Sequence, residues 1–208
     1  MSWKEFLSKK KIEFIATILI LIVILLLFTN FLQYIEISKG TTLQDPVLNI
    51  FSPVDLTWFT FSMIYISLIT AMIRFLIRPE LLLLALQSYA LLIIFRMIAM
   101  FTTHFDPPEG LILLNDPFVQ LFGNGEILTK DLFFSGHTAT LFLLFLIIDK
   151  NYLKYIFVIC ASLVGVALLI QHVHYTIDVI AAPFFAYSSY RLIIILHKNA
   201  QKKDNDEK

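Results

Sequence analysis

The sequence is poor in the features that build most small secreted or nucleic-acid-binding proteins. It has a single cysteine, Cys160, set in an apolar run. No disulfide can form within the chain, and the thiol is read as a small packed hydrophobe. Neither sign of charge is in excess, with 16 Lys and Arg against 16 Asp and Glu. That balance gives no electrostatic ground for nucleic acid as a partner. There is no short internal repeat and no low-complexity tract. No small-residue cleavage site follows the first apolar run, so that run reads as a retained span and not as a signal peptide. Hydrophobic residues are 58% of the chain, phenylalanine occurs 20 times and mean hydropathy is +0.79. A soluble domain carries only about 45–50% apolar residues.

The apolar residues fall into six runs of roughly the length that crosses a bilayer, about 20 residues each. They are Phe14 to Phe31, Trp58 to Ile77, Leu81 to Phe101, Leu132 to Ile148, Tyr155 to Ile170 and Ile177 to Leu196, the last with Pro183 inside it. The expected fold is an all-α polytopic membrane protein with six transmembrane helices. Residues 1–12 form a basic cytoplasmic N-terminus, residues 13–196 a membrane catalytic domain, and residues 197–208 a charged cytoplasmic tail read as disordered. A polar loop from Thr102 to Lys130 carries Pro107, Pro108, Pro117 and two glycines beside Asn124. Six spans put both termini on one side. Lys4, Lys9, Lys10, Lys11, Arg74, Arg78, Lys150, Lys154, Arg191, Lys198, Lys202 and Lys203 all fall on that side, which the positive-inside rule makes cytoplasmic.

On this topology several polar residues from distant parts of the chain reach one level near the outer face. His137 lies near the outer end of the fourth span, inside Asp131-Leu132-Phe133-Phe134-Ser135-Gly136-His137-Thr138. His172, His174 and Asp178 lie where the fifth span ends and the sixth begins. Arg96 comes some 23 Å along the third span at about 1.5 Å per residue. Arg74 and Arg78 fall on the opposite side. Ionisable residues at membrane depth are costly, and they mark functional sites.

His174 and Asp178 are four residues apart, which predicts one helix face. A carboxylate there would fix the imidazole tautomer and stabilise its cation. His137 suits the protonation of a leaving oxygen. Arg96 suits phosphate oxygens, and the amides near Ser135 and Gly136 begin a helix, an anion-binding terminus. Asp131, His172 and Tyr175 are read as supporting residues. Asp131 enters a helix, His172 is a structural neighbour and Tyr175 is an interface anchor, while His104 is a loop residue. Taken one at a time, each polar residue has a bland reading: a helix-crossing hydrogen bond for His137, a helix N-terminal charge for Asp178. Their convergence at one depth favours a phosphate-ester site. Zinc on His137, His172, His174 and Asp178 is the weaker alternative, because the spacing follows no zinc pattern.

The residues Phe134 to Thr138 and His174 to Val179 resemble the type 2 phosphatidic acid phosphatase superfamily. Asp131 to Thr138 and His172 to Ile180 are most similar to its sphingomyelin synthase-like branch. Arg96 to Thr103 resembles another segment of that branch, and Asp45 to Trp58 more loosely its proline-bearing first loop. The likeness implies a six-helix membrane core, no metal or other cofactor, and a catalytic triad of His137, His174 and Asp178. It further implies attack on phosphorus by His174, a phospho-histidine intermediate, and protonation of the departing alcohol by His137. The chain departs from the soluble phosphatase branch at Leu168, where that branch has arginine, and at Ala71, where it has lysine ahead of the Arg78-Pro79 pair.

The expected function is a lipid phosphoryl or phospho-headgroup transferase. Its partners are the bilayer, a phospholipid or other lipid phosphate, and a lipid alcohol acceptor, with the site towards the non-cytoplasmic face. With water as acceptor it becomes a lipid phosphate phosphatase. A transporter or scaffold would need polar residues at several depths, whereas here they gather at one.

Overall fold

A computed structural model describes residues 2–116 and 128–206. Pro117 and the glycines beside Asn124 lie outside the described residues. The described chain is helical. Six α-helices follow in order: α1 (Trp3–Ile37), α2 (Thr57–Ile77), α3 (Pro79–Thr103), α4 (Gly136–Ile147), α5 (Asn151–Ile170) and α6 (Thr176–Asp206). All but α4 are long and apolar enough to cross a membrane.

The exception is informative. The fourth apolar run is expected to be helical from Leu132, but α4 begins only at Gly136 and has 12 residues. It spans about 18 Å, well short of a hydrocarbon core of about 30 Å. The expected six spans therefore stand as five full-length helices and one short one. Residues 132–135 are diverted by Phe133 and Phe134, which take left-handed backbone angles (φ 61° and 46°). Such angles strain a residue with a Cβ. Phe134 is fully buried and stacks on Phe185 of α6, ring centroids 4.3 Å apart. That burial offsets the strain.

Both ends of the chain are helical, which the tail was not expected to be. The basic N-terminal segment is helical. It joins α1 across a break at Lys10 (φ −129°, ψ 19°) and is held by edge-to-face contacts among Trp3, Phe6 and Phe14. The tail read as disordered continues α6 to Asp206. It leaves the core alongside α1, where His197 Nε2 meets Glu13 at 3.3 Å.

Short α4 is the hub, packing against α5, α6, α3 and α2, while α1 lies against α3. Its buried face carries Ala139, Leu141, Leu143, Leu144 and Ile147. Gly165 of α5 lets α5 and α6 close together, because a Cβ there would come within 2.7 Å of Val179; small residues permit such close crossings in membrane bundles. At one end of the bundle Arg74 Nε donates to Asp149 at 2.7 Å and Trp3 Nε1 donates to the Leu76 carbonyl at 2.6 Å. The N-terminus, the end of α2 and the α4–α5 turn thus share one end of the bundle. The histidine motifs lie at the other.

Candidate active site

The loops at the histidine end bind one another through side chains. Asp45 accepts from the Thr176 amide at 2.6 Å and from its hydroxyl at 3.0 Å, and so caps α6 from the α1–α2 loop. Burial pushes the Asp45 carboxyl up. Hydrogen bonds from Thr176, Val47 and Leu48 outweigh that and hold it below the usual range. Buried Gln171 accepts from the Leu56 amide (3.1 Å) and donates to Thr57 (2.9 Å) and to the Ile112 carbonyl (3.2 Å). Glu36, at the end of α1, accepts from the Thr129 and Lys130 amides at 2.9 and 3.0 Å. Sequence reasoning passed over Asp45, Gln171 and Glu36. The partners that join them to other loops lie 59 to 131 residues away, and no local spacing points to those.

Beneath these loops lies the His174–Asp178 pair. His174 Nδ1 and Asp178 Oδ2 are 3.1 Å apart. The pair forms, although not on one helix face as the spacing suggests. His174 precedes α6, after a turn in which His172 is left-handed (φ 55°), and Asp178 belongs to the first turn of α6. The same Asp178 oxygen accepts from the Tyr175 amide at 3.2 Å, as a reciprocal N-terminal capping carboxylate does. A carboxylate only accepts. Nδ1 of His174 therefore carries the proton between them, and Nε2 is the ring nitrogen left for another partner. Asp178 is wholly buried and His174 is 3% exposed.

The α4 motif is bonded directly to this pair, because the Ser135 amide donates to the Asp178 carbonyl at 3.0 Å. Ser135 Oγ accepts from the Thr138 amide at 3.3 Å as the α4 N-cap. Ser135 thus ties two helix starts together, and its own amide is not available to an anion. His137 rests edge-on against Phe61 of α2, centroids 5.9 Å apart, and lies close enough to His174 and Asp131 for their charges to interact.

Gly136 serves a different need. A Cβ there would lie 2.7 Å from Cζ of Arg96, so only glycine lets the guanidinium lie across the start of α4. Arg96 is 5% exposed. It pairs with Asp131 and sits 5.6 Å and 5.8 Å from the ring centres of Phe134 and Phe28. Its Nε is buried without a partner among the described residues. Arg96, Asp131, Gly136 and His137 line one end of a cleft of 250 Å³ whose remaining walls are mostly apolar. His174 is seated beside this cleft and does not line it.

Other expected site residues lie elsewhere. His172 bonds the Glu109 carbonyl through Nδ1 at 2.8 Å and borders a separate cavity of 590 Å³ with Asp45 and Tyr175. Tyr175 is no interface anchor. It is 1% exposed, its hydroxyl donates to the Asp106 carbonyl at 2.9 Å, and it accepts from the Leu43 amide at 3.1 Å. Arg74 and Arg78 both engage Asp149 at the far end. Among the described residues no three His, Cys, Asp or Glu side chains gather as a metal ion would require, and His172 stands apart from the set proposed for zinc. Asp116 also went unremarked in the sequence. Its carboxylate is bonded by Tyr65 and acts electrostatically on His137.

A family model described as PAP2 superfamily C-terminal matches residues 130–195. That stretch holds α4, α5 and most of α6, with both histidine motifs, and leaves α1 to α3 and Arg96 outside. No curated protein matches the chain, and no solved structure does. The match supports the type 2 phosphatidic acid phosphatase superfamily, and with it a phosphatase or phosphotransferase type of lipid enzyme in a membrane.

Proposed function

We propose that, within that superfamily, this chain transfers a phosphoryl or phospho-headgroup between lipids through a phospho-His174 intermediate, as a sphingomyelin synthase-like enzyme. The carrying observation is the His174–Asp178 pair, tied by Ser135 to the α4 start where Arg96 and His137 meet. Nε2 of His174 attacks phosphorus. The bond from phosphorus to the departing alcohol oxygen breaks, and His137 gives that oxygen its proton. Asp178 stabilises the imidazolium on Nδ1, and Arg96 balances charge on the non-bridging oxygens. An acceptor hydroxyl then attacks phosphorus and passes its proton to His137, which releases His174.

Arg96 is the single permanent cation among the residues lining the cleft, and Asp131, which lines it too, already pairs with it. With so little net positive charge the cleft is better suited to the monoanion of a phosphodiester such as phosphatidylcholine than to the dianion of a phosphomonoester. Hydrolysis remains the competing outcome, with water as acceptor.

Labelled phosphatidylcholine, phosphatidylethanolamine and phosphatidate, each with and without ceramide, separate the two. Headgroup transfer that requires ceramide is expected. Product formed equally well without an acceptor lipid makes the protein a phosphatase. An acid-labile, base-stable phosphoenzyme is expected in the native protein and absent in His174→Ala. Turnover by His174→Ala at the native rate would remove the nucleophile assignment. The catalytic end is expected on the non-cytoplasmic side, as labelling of a cysteine placed at Asn49 from outside intact cells would show.

A further inference from the structure

We propose that the lipid reaches the Arg96–His137 cleft sideways, through a mouth between α1 and α2, and that the Tyr89 hydroxyl holds the polar linkage joining phosphate to tails. This rests on reading the cleft as a lipid-phosphate site. The cleft runs away from Arg96 between Phe28 of α1 and Leu68 of α2, with Tyr89, Leu92 and Ile93 of α3 as its floor. Both α1 and α2 pack on α3, and they make little contact with each other. They are pinned at the opposite end, where Trp3 bonds Leu76. Leu68, which lines the cleft on the α2 side, and Leu25 of α1 are each 38% exposed.

Volume decides what fits. The cleft, of 250 Å³, is too small to enclose a whole two-chain phospholipid. The tails of a lipid whose phosphate sits at Arg96 must therefore leave through a wall, and the sparsely packed α1–α2 side is apolar.

Tyr89 sits seven residues before Arg96 on the same face of α3, about 10 Å below it. Its hydroxyl lies within electrostatic reach of Arg96 and Asp131. No residue among those described bonds it. A sheltered tyrosine hydroxyl ordinarily finds a partner. At this depth the ester carbonyl or amide between phosphate and tails provides one.

The test uses the full chain in nanodiscs and a phosphatidylcholine with a diazirine in one acyl chain. His174→Ala is used so that binding is read without turnover. Labelling is expected at Leu25, Phe28 and Leu68, and Leu68→Trp, which closes the mouth, should reduce it at least tenfold. Leu68→Ala leaves the mouth open, controls for folding and should keep the label. Label spread evenly over lipid-facing positions such as Leu163 of α5, or unchanged in Leu68→Trp, overturns the entry path. Tyr89→Phe should weaken binding of the ester-linked lipid about fivefold relative to its ether-linked analogue, the size of one hydrogen bond. Equal loss on both overturns the role of the hydroxyl. A protein that labels at the mouth but turns over no lipid sinks the catalytic reading alone. One that turns over lipid without label at the mouth sinks this proposal alone.

Discussion

Replacing Gly136 with alanine separates the cost of a clash from the cost of a misplaced cation. The new Cβ would lie 2.7 Å from Cζ and 3.3 Å from Nη2 of Arg96. These atoms are the far end of a flexible side chain, so the guanidinium swings away before the backbone moves. The Asp131 pair and the packing against Phe28 and Phe134 are what the swing loses. The expected destabilisation is about 1–3 kcal/mol, the range for one methyl forced into a packed site, and a small gain in helix propensity over glycine reduces it. Catalysis should suffer far more. If Arg96 holds the non-bridging oxygens, moving it away removes a preorganised charge donor, which costs about 10²–10³ in kcat.

The assay pairs thermal unfolding in detergent with kcat and KM on the headgroup donor. Arg96→Lys is measured alone and with Gly136→Ala. Lysine is narrower at its tip than guanidinium, so the double variant should regain most of the stability lost by Gly136→Ala and none of the activity. Two residues in contact should thus be strongly non-additive. A Gly136→Ala protein that keeps its turnover within twofold would refute the placing of Arg96 at the reacting phosphate. One that fails to fold, while Gly136→Ala with Arg96→Lys folds, would still locate the clash at Arg96.

Asp178→Asn should lower kcat by about 10²–10⁴, because an amide can donate to Nδ1 and favour the wrong tautomer; the phosphoenzyme signal should fall with it. The Asp45 carboxyl lies below its unfolded value, so its contribution to stability is fully present above about pH 4 and is lost as pH falls through the folded value. Thr176→Val removes one of the bonds that lower it, and should cost about 1 kcal/mol at pH 7 while flattening the stability profile on the acid side of pH 4 in denaturant titrations. Arg74→Ala removes the bond that does most to hold the Asp149 carboxyl down. It lies at the opposite end from the histidines, so kcat/KM should stay within twofold. A larger fall would place the phosphate site at the wrong end of the bundle.

The membrane-spanning helices could be read from the chain because length and hydrophobicity alone specify a span: twenty apolar residues in a row leave the backbone no option but to satisfy itself as a helix. The same reasoning overreached at Leu132 to Ser135. Hydropathy says nothing of backbone angle there, and the left-handed Phe133 and Phe134 keep those residues out of α4. It fell short at the C-terminal tail, where polar residues read as disordered are helical. His174 and Asp178 were found by their spacing, and the contact holds, but through a helix cap that the spacing alone could not distinguish from a helix face. Tyr175 was misplaced because an amphipathic ring has the same composition at an interface as between two loops. Only the hydroxyl's partners at Asp106 and Leu43, 69 and 132 residues away, separate the two. Gly136 was found as part of an anion-binding helix start, and the residue is needed. The reason differs, since it yields space to a guanidinium from α3. That reason lies in a contact across 40 residues of sequence, and contacts of that kind are what a pattern read along one chain does not contain.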